Sequence, residues 1–261
     1  MANIFITSLY YWGTPSPDDI RILTETYELS RDSYLEHLED IDEHIVFANP
    51  GFDGELKGKG AAPHGDVFYD MFMKTYELWQ QGHNVFYADI DTICIHPIKI
   101  FGEFEKFTMF NGVPTGKNLL GFPETSNYQA LRDGFREKDG VKQFLPTYFN
   151  DGVRYFPAET PQEVWDIGLV GWEEWKTRKD MWGEQQIIHN KMLYEGQEWN
   201  NDYTTCKRPE FNHFDMAIQQ EHHVVNKPDY YFNDYHIYHL FSSRGLAGCL
   251  NAMKTVKLKG Y

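Results

Sequence analysis

The chain has 261 residues, with 24 Lys and Arg against 39 Asp and Glu, for a formal net charge of -15 at pH 7. An aromatic fraction of 16% excludes a disordered chain, and the charge makes the average surface repel nucleic acid and anionic membranes. The length suits one large α/β domain, and no segment approaches the roughly 18 apolar residues of a membrane span.

In chain order, Ile4 to Tyr11 reads as a buried first strand that runs into a loop with Gly13, Pro15 and Pro17. Ser16-Pro17-Asp18-Asp19 starts a helix, with a Ser cap, Pro at the first position and acids in the positive first turn. Ile20, Leu23, Tyr27, Tyr34, Leu38 and Ile41 keep helical spacing and form its expected buried stripe. His44 to Ala48 is a second strand, halted by Asn49-Pro50-Gly51, and the glycine-rich stretch to Gly65 is a long loop. A helix from about Asp66 to Gln81 follows, with Phe68, Met71, Thr75, Leu78 and Trp79 inward, Lys74 upon it and Gly82 as its stop. It feeds a third strand from Asn84.

That third strand carries the most informative feature. Val85-Phe86-Tyr87-Ala88 is apolar and ends abruptly in Asp89-Ile90-Asp91, after which Ile93-Cys94-Ile95 resumes the apolar run. An unpaired buried carboxylate costs about 2 kcal/mol or more, so acids survive there when paired or when holding a metal. Residues two apart in an extended segment point the same way, so Asp89 and Asp91 are expected to reach one cation. Hard oxygen ligands at the carboxyl end of a strand suit Mg2+ or Mn2+ with positions left open for phosphates. The pattern alone is weak, since Asp40-Ile41-Asp42 repeats it. Context separates the two, because only Asp89 and Asp91 close a strand that follows a helix, at the crevice where α/β sheets bind ligands. The alternation β-α-β-α-β predicts a mostly parallel sheet with right-handed crossovers.

Beyond Pro97, Phe107 to Phe110 is a predicted strand, and Tyr148 to Phe156 reads as a turn entering another. Glu163 to Lys176 is a Trp-rich helix, Gly183-Glu184-Gln185 opens a further helix carrying His189 and Met192, and Tyr230 to Arg244 contains a late Tyr- and His-rich strand. No linker or repeat divides the chain, so residues 1–97 are expected to form the nucleotide-binding half of one domain and 98–261 its acceptor half. Cys94, Cys206 and Cys249 are far apart and odd in number, which argues against a disulfide framework or structural zinc. With no basic, then apolar, leader at the N-terminus, a soluble cytoplasmic protein is expected, a virus-encoded one in a host cytoplasm included.

Lys74, Asp89-Ile90-Asp91-Thr92, Phe149-Asn150-Asp151-Gly152-Val153, Gly183-Glu184-Gln185 and His239 with Arg244 stand in an order that resembles the GT-A fold glycosyltransferases. The likeness is to the retaining family of glycogenin and the bacterial galactosyl- and glucosyltransferases. It implies a Rossmann-like, mostly parallel central sheet with helices on both faces. It also implies transfer of a hexose or pentose from a nucleotide-diphosphate sugar, a UDP-sugar by family precedent, to a hydroxyl acceptor. By that resemblance Asp89, Asp91 and His239 hold Mn2+ or Mg2+, and the Ser8, Tyr10 and Tyr11 loop cradles the nucleobase. Ile90 lies between the two acids on the nucleotide, Lys74 and Arg244 meet the donor's phosphates or sugar, and Asn150, Glu184 and Gln185 line the sugar's reactive side.

The chain departs from the family in two places. Glu184 stands where Asp is usual, and His239 to Arg244 is one residue tighter than the family spacing, with His236 as the rival ligand. Two other classes compete. A nucleotidyltransferase or sugar-nucleotide pyrophosphorylase also places acids and Mg2+ at a strand end, but it uses a Gly-rich basic loop that Ser8 to Pro17 lacks. A non-enzymatic carbohydrate-binding protein would use Trp and Tyr as stacking platforms, whereas Trp165, Trp172 and Trp175 fall inside a helix-like stretch. The acceptor is open among a glycan, a protein, a metabolite and a modified DNA base, the last disfavoured by the acidic balance.

Overall fold

The computed structural model describes residues 1–9, 15–48, 64–114, 135–138, 141–144, 147–178, 184–197, 213–214, 236–240 and 245–259. The first half alternates β1 (Asn3–Leu9), α1 (Pro17–His37), β2 (Glu43–Ala48), α2 (His64–Gln80) and β3 (Asn84–Ala88). Then come β4 (Thr92–Cys94), β5 (Thr108–Pro114), β6 (Phe135–Lys138), β7 (Val141–Phe144) and β8 (Thr147–Phe156). Two helices follow, α3 (Gln162–Arg178) and α4 (Glu184–Glu195), then β9 (His213–Phe214), β10 (Ile237–His239) and α5 (Gly245–Lys259).

The main sheet has the order β2-β1-β3-β8-β5. β1 is parallel to β2 and β3, while β8 runs antiparallel to both of its neighbours, so the sheet is mostly parallel as predicted. The central strands β1 and β3 are buried on both faces, which is why they read as nearly continuous apolar runs, whereas the edge strand β2 is only partly buried. Ile4, Ile6, Val85 and Tyr87 face a layer built with Phe72 of α2, Trp165 and Trp172 of α3 and Met192 of α4. Phe5, Phe86 and Ala88 face the opposite layer, with Tyr34 of α1 and the Ile98 to Phe104 segment. A small second sheet, β4-β10-β9, extends from the end of β3, and α5 packs on it through Ala252, Met253 and Val256 against Ile93, Tyr238 and Leu240.

Three local expectations are corrected. α1 ends at His37 rather than continuing to Ile41, because Leu38 leaves the helix at φ -83, ψ 115 and forms a bridge with Ile98. Asp40 then takes a left-handed conformation at φ 63, and Asn3 donates to its carbonyl, as the chain swings β2 alongside β1. Asp42 accepts from the Asn3 N–H at 2.8 Å, so the decoy Asp-x-Asp is a structural turn.

The buried face of α1 is also more polar than its apolar spacing implies, since Thr26, Ser30 and Ser33 are buried with Leu23 and Tyr34. Thr26 Oγ1 donates back to Ile22 O at 2.7 Å, and Ser33 Oγ donates to Ser30 O while accepting the Cys94 N–H at 3.0 Å. These bonds offset the cost of burying hydroxyls and let the helix approach β4 closely. Finally, Asn150-Asp151-Gly152 is not a turn before a strand but part of the ten-residue β8, paired with β5 through a register shift between Met109 and Asn111.

Gly82 stops α2 as expected, with φ 80 and its N–H on Trp79 O. Among the described residues no helix is long and apolar enough to cross a membrane. Cys94 and Cys249 are buried thiols, and Cys206 lies outside the described residues.

Candidate active site

β3 ends where its apolar residues do, and the next four residues form a tight turn. The Thr92 N–H reaches Asp89 O at 3.1 Å and Thr92 Oγ1 donates to the same carbonyl at 2.5 Å. The Asp89 N–H donates to Gly152 O at 2.7 Å, tying the turn to β8, and Tyr34 OH donates to Thr92 Oγ1 at 3.0 Å from the layer below. Asp89 and Asp91 therefore do not converge by strand alternation, as the sequence reading had it. A turn that reverses the chain into β4 brings them together. Tyr34→Phe removes the bond that holds the Thr92 hydroxyl and is expected to cost about 1 kcal/mol of stability, read as a shift in the denaturant midpoint at constant slope.

The third group arrives from the far end of the chain. β10 pairs antiparallel with β4 in a register that sets His239 opposite Thr92, and the Leu240 N–H bonds Asp91 O at 2.7 Å. His239 Nε2 stands 3.1 Å from Asp91 Oδ1. Asp89, Asp91 and His239 each offer a ligand atom, and these atoms lie within 4.8 Å of one another. The rival His236 points elsewhere, its Nδ1 2.9 Å from Pro97 O and its ring against His96.

Electrostatics follow from burying these groups together. Burial, then the neighbouring Asp91 charge, pushes the Asp89 carboxyl well above the usual carboxylate range, against the opposing pull of His239 and the Tyr87 hydroxyl. Burial alone would lower the pKa of His239, but Asp91, with Asp89 and Asp151, outweighs it and raises it. Excess negative charge gathered at one spot is the condition a cation relieves. Two carboxylates and an imidazole form a donor set that suits Mg2+ or Mn2+, so the residues present fit such an ion.

A second buried cluster, which sequence reasoning missed, lies beside this one. Asp151 and Arg154, each 2% exposed, come from β8, and His189, 1% exposed, comes from α4. Asp151 Oδ2 is 3.4 Å from His189 Nδ1 and 3.7 Å from Arg154 Nη1. The Arg154 guanidinium also donates to Asp151 O and lies 3.9 Å over the Tyr87 ring. A polar triplet within an apolar context, at Asp151, Arg154 and His189, was the available signal. Asp151 and Arg154 are three residues apart on β8, but His189 is 38 residues from Asp151 and only the packing of α4 on β8 brings it to them.

The other predicted site residues are placed as follows. Ser8 is buried at the end of β1, its Oγ 2.7 Å from Tyr87 OH. Lys74 lies on α2, partly exposed and 3.8 Å from Glu77. Asn150 is on β8 opposite Asn111, Ile90 is in the Asp89 turn, and Glu184 and Gln185 form the first turn of α4. Tyr10, Tyr11 and Arg244 lie outside the described residues.

The fold matches that of a solved structure. A glycosyltransferase involved in the glycosylation of the major capsid of PBCV-1 superposes with a TM-score of 0.51 at 12% identity, over 97% of this chain and 99% of that one. The fold is that of a GT-A glycosyltransferase. Looser likenesses to the same class are the apo bifunctional glycosyltransferase WbbM and the galactosyltransferase LgtC in complex with donor and acceptor sugar analogs. WbbM gives a TM-score of 0.47 at 12% identity over 91% of this chain, which spans only 45% of the length of that protein. LgtC gives 0.46 at 13% identity, over 98% of this chain and 95% of that one. No protein-family model matches the sequence, and no curated protein matches it. In this fold Ser8 and Asp89 follow directly on Thr7 and Ala88, the last register pair at the carboxyl edge of the parallel strands β1 and β3.

Proposed function

We propose that this protein is a divalent-metal-dependent glycosyltransferase that moves a sugar from a nucleotide-diphosphate donor, a UDP-sugar with retention by family resemblance, to a hydroxyl acceptor. The observation that carries the reading is the convergence of Asp89, Asp91 and His239 ligand atoms within 4.8 Å, at the strand end of a GT-A fold. These three residues would hold Mn2+ or Mg2+, and the ion would supply positive charge to the donor's diphosphate.

In the transfer, the bond from the anomeric carbon to the diphosphate oxygen breaks, a bond from that carbon to the acceptor oxygen forms, and the acceptor's proton passes to the departing diphosphate or to solvent. Negative charge gathers on the departing diphosphate, where Lys74 and Arg244 would stabilise it electrostatically. Lys74 approaches Glu77 at 3.8 Å, a weak exposed pair that costs little to release. Positive charge develops on the sugar, where the Glu184 carboxylate or the amide oxygens of Gln185 and Asn150 would face it. Tyr10 and Tyr11, with the end of β1, would seat the nucleobase. Trp165, Trp172 and Trp175 are buried in the core, which removes them as stacking platforms for a metal-free carbohydrate-binding protein.

Thermal shift decides the reading. Mn2+ together with UDP is expected to raise the melting temperature by several degrees, and Asp91→Ala to abolish that rise. Mass spectrometry of a panel of UDP- and GDP-sugars incubated with the pure protein then identifies the donor from its slow hydrolysis. A flat response across the whole panel, with and without Mn2+, sinks the proposal, and release of pyrophosphate from a nucleoside triphosphate would favour nucleotidyl transfer instead.

A further inference from the structure

Tyr87 stands two residues before Asp89 with its ring in the core and its hydroxyl donating to Asp89 Oδ1. A phenol has one proton, and that proton is committed to the carboxylate. The contact between Ser8 Oγ and Tyr87 OH, at 2.7 Å, is therefore a bond that Ser8 donates. The relay runs in one direction, from Ser8 through Tyr87 to Asp89, and joins the ends of two adjacent parallel strands. It is braced from the next strand as well. Arg154 is the register partner of Tyr87 on β8, and its guanidinium lies 3.9 Å over the Tyr87 ring, where a cation attracts the π face and polarises the hydroxyl toward donation.

A metal-ligating carboxylate needs such a partner. One of its oxygens must be fixed if the other is to present itself at a set distance and angle, and removal of a fixing bond typically weakens metal binding 10- to 100-fold. We infer that Tyr87 is the positioning residue of the cation site. It pins Asp89 Oδ1 so that Oδ2 is left for the metal, with Ser8 and Arg154 holding Tyr87 in place. This inference rests on the metal-dependent reading of the site, and it gives Ser8 a role behind the metal ligand in addition to any contact with the nucleobase.

The test measures metal affinity without turnover. The full chain is titrated with Mn2+ and the free ion is read by EPR, for the natural sequence, Tyr87→Phe, Ser8→Ala and the control Thr75→Val. Thr75 is a buried hydroxyl on α2 that donates to Met71 O, so its loss lowers stability without touching the relay. Tyr87→Phe is expected to raise the Kd for Mn2+ by about 10- to 100-fold, Ser8→Ala to raise it in the same direction by less, and Thr75→Val to lower the melting temperature with the Kd unmoved. A Tyr87→Phe protein that binds Mn2+ as tightly as the natural sequence overturns the inference and leaves the metal site standing. If Tyr87→Phe does not fold, an unchanged Kd in Ser8→Ala overturns it. If the natural sequence takes up no Mn2+, the proposed function and this inference fall together.

Discussion

Asp89→Asn is expected to stabilise the metal-free protein while eliminating its response to Mn2+ and UDP. The two effects have opposite signs because the carboxylate is unfavourable for folding and favourable for binding. Partly buried beside Asp91, Asp89 has its pKa raised above that of the unfolded chain, by desolvation first and by the Asp91 charge second. Near pH 8 the folded state must therefore either ionise a poorly solvated group or carry a proton that the unfolded state does not. Asparagine keeps the shape and an oxygen to accept the Tyr87 hydroxyl, and it removes the like-charge repulsion. Relief of a partly buried carboxylate facing a like charge is worth about 1–2 kcal/mol, which at roughly 2–4 °C per kcal/mol for a chain of this size is a rise of a few degrees. On the proposed function the same change withdraws a charged metal ligand and is expected to reduce transfer by about 10³-fold, the equivalent of several kcal/mol of electrostatic stabilisation. A residue with a purely structural role would show a lower melting temperature and an intact metal response. Differential scanning fluorimetry with and without Mn2+ and UDP separates the two outcomes.

His189→Gln is expected to flatten the loss of stability in acid. Burial, and then the Arg154 charge, lowers the His189 pKa from 6.5 to about 4, with Asp151 opposing the shift. Because the folded value lies below the unfolded one, the unfolded chain takes up the proton first. The contribution of His189 is therefore complete above pH 6.5, falls as the pH drops toward about 4, and falls no further below that. A shift of this size corresponds to about 3 kcal/mol for a fully buried group, or on the order of 10 °C across the window. His44, also lowered to about 4 by burial but partly exposed, adds a smaller change of the same sign in the same window. At pH 8, His189→Gln is expected to be less stable than the natural sequence, since His189 packs against Phe72, Phe107 and Phe156. Melting curves from pH 8 to pH 4 should bring the two proteins together as the acid window is crossed. A difference that stays constant across that range would mean that His189 does not titrate as its burial implies.

Much of the candidate site was legible because its signals are local. Asp89 and Asp91 interrupt an apolar strand, and a charge in such a run is visible without coordinates, since burial of an acid demands a reason. The strand and helix alternation up to Asp91 was equally plain, because periodicity and caps such as Ser16 with Asp19 act within a few residues. The choice of His239 over His236 was open in the sequence. The register of β10 on β4 decided it, since a three-residue strand offers too few positions for pattern alone to say which histidine faces the acids.

What the sequence by itself determined is the chemistry available, namely two acids closing a core strand, a late histidine and the β-α-β-α-β order that puts them at a sheet edge. What only the tertiary structure decided is who touches whom. The Ser8, Tyr87 and Asp89 relay and the buried meeting of Asp151 and Arg154 with His189 both join strands or helices distant in the chain. Hydrogen bonds form over about 3 Å, so such contacts are fixed by strand register and helix packing, which no local pattern of residues encodes.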